Sequence, residues 1–108
     1  MSAAQPTVLI ADDEELMREL LARYLTTLNC KVVGIAENGE ICLKQLNSLA
    51  PDMLFLDLNM PDKDGFEVLD ELISMGNKTF PVIVTGNGDF RNLKTSMEKG
   101  AQGYVVKP

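Results

Sequence analysis

Five short apolar runs, each separated from the next by a stretch with helical spacing, restrict what this chain can fold into more tightly than any other feature. The runs are TVLIA at 7–11, KVVGIA at 31–36, DMLFLD at 52–57, PVIVT at 81–85 and GYVV at 103–106. Most are rich in branched apolar residues, and near-continuous apolarity means burial on both faces, the habit of parallel strands. Their alternation with helices predicts an α/β domain, a doubly wound parallel sheet with helices on both faces.

Helical spacing is explicit between the runs. Leu16, Met17, Leu20, Leu21, Tyr24, Leu25 and Leu28 recur every three or four residues, which predicts a helix over about 14–28 with these residues on one face. Asp13, Glu14 and Glu15 suit the positive end of its dipole. A second helix over about 39–48 is expected to bury Ile41, Cys42 or Leu43, Leu46 and Leu49, with Pro51 stopping it. A third, about 65–75, should turn Phe66, Leu69, Leu72 and Ile73 inward and end at Gly76-Asn77. A fourth, about 90–99, offers only the narrow stripe Phe90, Leu93 and Met97 and should be the least firmly held.

At 108 residues the chain suits one domain with one core, and no repeat, linker or low-complexity tract divides it. Its net charge of -6, with the ten basic residues scattered, argues against a nucleic-acid surface. No apolar run approaches a membrane span and the first residues lack signal-peptide character, so a cytoplasmic location is expected. Cys30 and Cys42 fit no metal-binding or redox spacing. The complete lack of histidine excludes Ser-His-Asp and Cys-His nucleophile pairs, leaving carboxylates, hydroxyls and lysine for any chemistry.

Those groups gather where strands end. Asp12 and Asp13 follow the first strand, Asp57 closes the third, Thr85 the fourth, and Lys107 follows the fifth. Open parallel sheets bind ligands at this carboxyl edge. In a strand order 2-1-3-4-5 the first and third strands are neighbours, and Asp12, Asp13 and Asp57 share one crevice. Like charges there repel by roughly 4 kcal/mol per pair at about 4 Å and an effective dielectric near 20. A hard divalent cation relieves this, Mg²⁺ above all, with Mn²⁺ as an alternative. Carboxylate, cation, lysine and hydroxyl together are the parts of an in-line phosphoryl transfer.

The segments LIADDE, LFLDLNMPDKDGFE, PVIVTG and GYVVKP, in this order, closely resemble the receiver domain of two-component response regulators. The resemblance covers all 108 residues, implies the flavodoxin-like order 2-1-3-4-5, and assigns roles. Asp57 becomes the phosphoacceptor, charged by a histidine kinase or a histidine phosphotransfer protein. Asp13 ligates Mg²⁺ directly and Asp12 mainly through water, with Asp57 and the Asn59 main-chain carbonyl completing the set. Lys107 pairs with the phosphoryl oxygens, Thr85 swings toward them, and Tyr104 turns in behind Thr85. The surface of the fourth helix and fifth strand then engages a downstream effector. The resemblance implies a signalling switch acting on no external metabolite.

Two features depart from the family pattern. Gly86 stands where alanine is usual, which should loosen the following GNGDF and widen access to the site. The sequence stops at Lys107-Pro108, where the family continues into a fifth helix. The expectation is a receiver over 1–108 without that helix, with apolar surface left open on the sheet and first helix, and hence self-association or low stability.

Other readings are weaker. Asp62, Asp64, Gly65 and Glu71 match calcium-loop positions, but Met60 stands at the first ligand position and Pro61 follows it. An aspartyl-phosphate phosphatase uses a DxD pattern, and the second acid is here Asn59. A degenerate receiver acting only as a binding module sits poorly with a complete set of acids, threonine and lysine.

Overall fold

The computed structural model describes residues 5–86 and 88–107. Asn87, inside the expected loop GNGDF, and Pro108 of the last motif lie outside the described residues. Strands and helices alternate as β1 Thr7–Ala11, α1 Glu15–Thr27, β2 Lys31–Ala36, α2 Gly39–Leu49, β3 Met53–Leu56, α3 Gly65–Ser74, β4 Phe80–Thr85, α4 Phe90–Glu98 and β5 Gly103–Val106. The five strands are parallel in the order β2-β1-β3-β4-β5, the doubly wound sheet that the sequence predicts. The chain crosses from β2 back over β1 to reach β3, so the carboxyl ends of β1 and β3 adjoin at a switch point.

β3 is shorter than the apolar run suggests because both acids bounding it have other work. Asp52 accepts hydrogen bonds from the Thr7 backbone N–H (2.8 Å) and hydroxyl (3.1 Å), tying the start of β1 to the approach to β3. Asp57 still donates its N–H to the Ala11 carbonyl, then the chain leaves the sheet.

Two apolar layers enclose the sheet. On one face Leu9, Leu54, Leu56 and Ile83 pack with Cys42 and Leu46 of α2 and Val68, Leu69 and Leu72 of α3. On the other, Val8 and Ile10 meet Leu25, Leu21 and Ala22 of α1. Each fully buried aliphatic side chain here contributes about 1.5–3 kcal/mol of transfer free energy.

Helix positions agree with the sequence reading, and the departures lie in which residues of α2, α3 and α4 face inward. In α1 only Leu25 is fully buried, while Leu16, Leu20, Tyr24 and Leu28 are exposed, Leu16 at 67%. The sheet meets this helix along Leu21, Ala22 and Leu25, a contact narrower than the apolar stripe. Leu49 of α2 and Ile73 of α3 are also exposed, Val68 taking the inward place expected for Ile73. The largest correction concerns α4. Phe90 and Met97 lie outside and Ser96 is the buried residue, its hydroxyl returned to the Asn92 carbonyl at 2.7 Å. A small inward residue lets α4 lie close to its neighbours, with Lys99 reaching Asp70 of α3 at 2.9 Å. With Val105 of β5 also half exposed, the apolar surface expected to lie open on α1 and the sheet is present among the described residues. The two cysteines are free. Burial pushes the Cys42 thiol up to about 12, which makes it inert.

Candidate functional site at the carboxyl edge of the sheet

Each acid is placed by the strand that ends at it. Asp12 keeps its backbone in the β1–β2 ladder, donating to the Ala36 carbonyl at 3.0 Å. Its Oδ1 accepts the Glu14 N–H at 2.9 Å, forming a tight turn into α1, and Arg18 donates to its main-chain carbonyl at 2.9 Å. Asp57 is held by the Ala11 carbonyl, and its Oδ1 takes only a long bond, 3.3 Å, from the Asn59 N–H. The loop beyond closes when Gly65 donates to the Leu58 carbonyl at 3.0 Å. Asp64 then starts α3 in a reciprocal capping box with Glu67.

These strand ends bring the carboxylates of Asp12, Asp13 and Asp57 within 4.8 Å of one another. Asp12 and Asp57 are 1% and 3% exposed, whereas Asp13 faces solvent. Lys107 enters from the end of β5, its N–H bonded to the Thr85 carbonyl at 2.7 Å. Its ammonium stands 2.9 Å from Asp12 Oδ2, 3.2 Å from Glu14 Oε1 and 3.5 Å from Asp57 Oδ2. Asp13, Glu14, Asp57, Asn59, Gly86 and Lys107 line a cavity of about 260 Å³ over this cluster.

The electrostatics follow from burial and crowding. Burial, then the Asp12 charge, lifts the Asp57 carboxyl from 3.8 to about 6, against the Asn59 N–H and Lys107, which pull it down. For Lys107, burial favours the neutral amine, but Asp12, Asp57 and Glu14 outweigh it and hold the ammonium firmly protonated. At neutral pH the cluster therefore carries several negative charges against one fixed positive charge.

The donor set fits a hard cation. It offers carboxylate oxygens and no imidazole or thiolate, and the buried Asp12 Oδ2 faces the Lys107 ammonium at 2.9 Å. The acidic triad is consistent with a Mg²⁺ site. Mn²⁺ suits the same oxygens.

Of the residues singled out in the sequence, Asp12, Asp13, Asp57, Asn59 and Lys107 come together. Thr85 is fully buried at the end of β4 and is not among the described residues lining the cavity. Tyr104 is partly buried against the α2–α3 side of the core. It pairs with Ile83, and Thr85 with Val106, so Thr85 and Tyr104 share one face of the sheet on adjacent strands. Burial, then the Asp89 charge, raises the Tyr104 phenol. Sequence reasoning missed Glu14 as a cavity residue, taking it only for an acidic helix start; its signal was its place directly after Asp12-Asp13.

Gly86 borders the cavity, and a Cβ built there meets nothing within 4 Å. Gly86→Ala should therefore stabilise the fold by about 0.4–1 kcal/mol through the unfolded chain, as read from urea denaturation.

Fold and site define a class: a doubly wound α/β domain presenting buried acids, a lysine and a cation-binding oxygen cluster at the switch point of its sheet. The family described as the response regulator receiver domain matches residues 8–108. The chain belongs to that family. It is 30% identical to chemotaxis protein CheY of Listeria monocytogenes, over 94% of this chain and 85% of that one. It is 34% identical to the nitrate/nitrite response regulator protein NarL of Escherichia coli, over 99% of this chain and 50% of the relative. A protein-glutamate methylesterase/protein-glutamine glutaminase of Halalkalibacterium halodurans is 39% identical, this chain spanning 30% of its length. Thus the chain spans half or less of some curated relatives it matches and most of others.

Solved structures agree. The signal receiver domain of NarL from Mycobacterium tuberculosis superposes with a TM-score of 0.92 at 27% identity, covering 96% of this chain and 85% of that one. CheY in the CheX–CheY–BeF3–Mg²⁺ complex from Borrelia burgdorferi superposes at 0.87 with 27% identity, covering 94% and 78%. The protein is a receiver domain whose pocket of Asp12, Asp13 and Asp57 serves phosphoaspartate signalling. Receiver domains interact with kinases and effector proteins. No helix among the described residues is long and apolar enough to cross a membrane.

Proposed function

We propose that residues 1–108 form one receiver domain that takes a phosphoryl group onto Asp57 from a histidine kinase or a histidine phosphotransfer protein in the cytoplasm. The observation that carries this reading is Asp57 itself, a buried carboxylate raised to about 6 yet ionised at neutral pH, facing a cavity beside a fixed ammonium. A raised pKa makes the carboxylate a stronger nucleophile, and its closeness to neutrality keeps it deprotonated.

Asp12, Asp13, Asp57 and the Asn59 carbonyl would hold Mg²⁺, which supplies positive charge for the equatorial phosphoryl oxygens. The chain's own groups do the rest. Asp57 attacks phosphorus, and Lys107, already within 3.5 Å of that carboxylate, pairs with a phosphoryl oxygen. Thr85 donates its hydroxyl to another. The transferred group adds about -1.5 to -2 charge. Withdrawal of the Thr85 side chain toward it opens room for Tyr104 on the same sheet face, which re-shapes the α4–β5 surface offered to an effector.

Incubation with Mg²⁺ and acetyl phosphate should add one phosphoryl group, read by mass spectrometry. Asp57→Asn should take none, and Lys107→Ala should be slowed by about a hundredfold or more, the magnitude typical of losing one preorganised charge at a reacting group. Unchanged uptake in Asp57→Asn would overturn the assignment.

A further inference from the structure

Glu14 occupies the N-cap position of α1, in an extended conformation (φ -92°, ψ 116°). Capping favours a short polar side chain there, yet the Glu14 carboxylate makes no cap hydrogen bond. It turns to the site instead, standing 3.2 Å from Lys107 Nζ and lining the cavity mouth while its side chain remains 63% exposed. The helix start does not depend on that carboxylate, because the Glu14 main chain is fixed by its N–H bond to Asp12 and by its carbonyl accepting from Arg18 N–H.

Two consequences follow from this placement. A phosphoryl donor reaching Asp57 must draw the Lys107 ammonium onto its own oxygens, and Glu14 competes for that ammonium. The donor is also an anion, and it enters past a carboxylate that no deeper group needs. Asp12 contacts the same ammonium at 2.9 Å from a buried position, so Lys107 keeps its place without Glu14.

We propose that Glu14 is an electrostatic gate on the phosphoryl site: it holds Lys107 at the cavity mouth and disfavours entry of highly charged small donors, setting a slow basal rate of phosphorylation. The inference rests on Asp57 being the acceptor. The step itself is balanced: an Asp57 oxygen forms a new bond to phosphorus, the bond from phosphorus to the acetate oxygen breaks, and acetate leaves with the electron pair. Glu14 exchanges no proton in it.

The test compares initial rates of phosphoryl uptake by the full chain, with Mg²⁺, from acetyl phosphate and from the less charged phosphoramidate. At low ionic strength Glu14→Gln should take phosphoryl from acetyl phosphate about two- to fivefold faster, the range of one exposed charge contact. The gain should lie in the half-saturating donor concentration rather than the limiting rate, be smaller with phosphoramidate, and shrink as salt is added. Glu14→Asp keeps the charge and should stay close to the parent. Equal rates for parent and Glu14→Gln overturn the gate while leaving Asp57 as acceptor. A gain that is the same for both donors and insensitive to salt also overturns it, since a structural effect would give that pattern. No uptake by the parent from either donor removes the acceptor assignment and the gate with it.

Discussion

Asp57→Asn should make the metal-free protein more stable, not less, at neutral pH. Burial and the neighbouring Asp12 hold the Asp57 pKa at about 6 in the folded chain against 3.8 as the ordinary value. A carboxyl whose pKa rises on folding binds its proton more tightly in the native state. Its contribution to stability is therefore full below about pH 4 and is lost as pH climbs through about 6. Above that range the folded protein carries an ionised group that it disfavours, by up to about 3 kcal/mol at 1.36 kcal/mol per unit.

The asparagine variant removes that burden and keeps the shape. Lys107 loses its longest contact, 3.5 Å, and retains Asp12 and Glu14. In EDTA at pH 7.5 the midpoint of thermal unfolding should rise by up to about 12–24 °C, at about 4–8 °C per kcal/mol for a domain near this size. The difference should vanish near pH 4. Saturating Mg²⁺ should stabilise the parent more than the variant and narrow the gap, because ligand that binds only the folded state adds stability with concentration. An asparagine variant less stable than the parent in EDTA would show that Asp57 is a structural ion-pair residue.

Gly65→Ala should do the largest damage of any single methyl group added near the site. A Cβ there would lie 2.5 Å from the Asp57 carbonyl oxygen and 2.8 Å from the Leu58 Cα, both backbone atoms that cannot rotate away. The Gly65 N–H also closes the loop onto the Leu58 carbonyl, so the helix start and the end of β3 cannot separate without breaking that bond. Overpacking of this kind costs about 1–3 kcal/mol, and contact with backbone places it at the upper end. The strain falls on Asp57, and displacement of a reacting group by about 1 Å lowers rates by about a hundredfold. Urea denaturation and phosphoryl uptake from acetyl phosphate, measured on the same preparation, should both fall. Normal uptake with reduced stability would mean that the loop relaxes away from Asp57.

Much of this was legible in the chain because the strands are buried on both faces. TVLIA, KVVGIA and GYVV match β1, β2 and β5 residue for residue, and the cluster of strand-end acids with Lys107 was readable from where those runs stop. Helix faces were less legible. Periodicity reports that a stripe is apolar, but it does not report how wide a strip the sheet covers, so the spacing points Leu49 and Ile73 inward although both are exposed. In α4 the inward residue is Ser96, which pairs its hydroxyl within its own helix and carries no apolar signal. The Asp64–Glu67 capping box was present as a D-x-x-E pattern, while the reach of Glu14 to Lys107 joins residues 93 positions apart and has no local signature.

The central claim is that acids from two neighbouring strand ends form one cation site beside the group that accepts phosphoryl. Anomalous diffraction from crystals soaked in Mn²⁺ tests it most directly. One peak should lie among the carboxylates of Asp12, Asp13 and Asp57, with the Asn59 carbonyl in contact and Lys107 still beside Asp57. A lattice saturated with Mn²⁺ that binds the ion elsewhere and leaves those three carboxylates without metal would contradict the account.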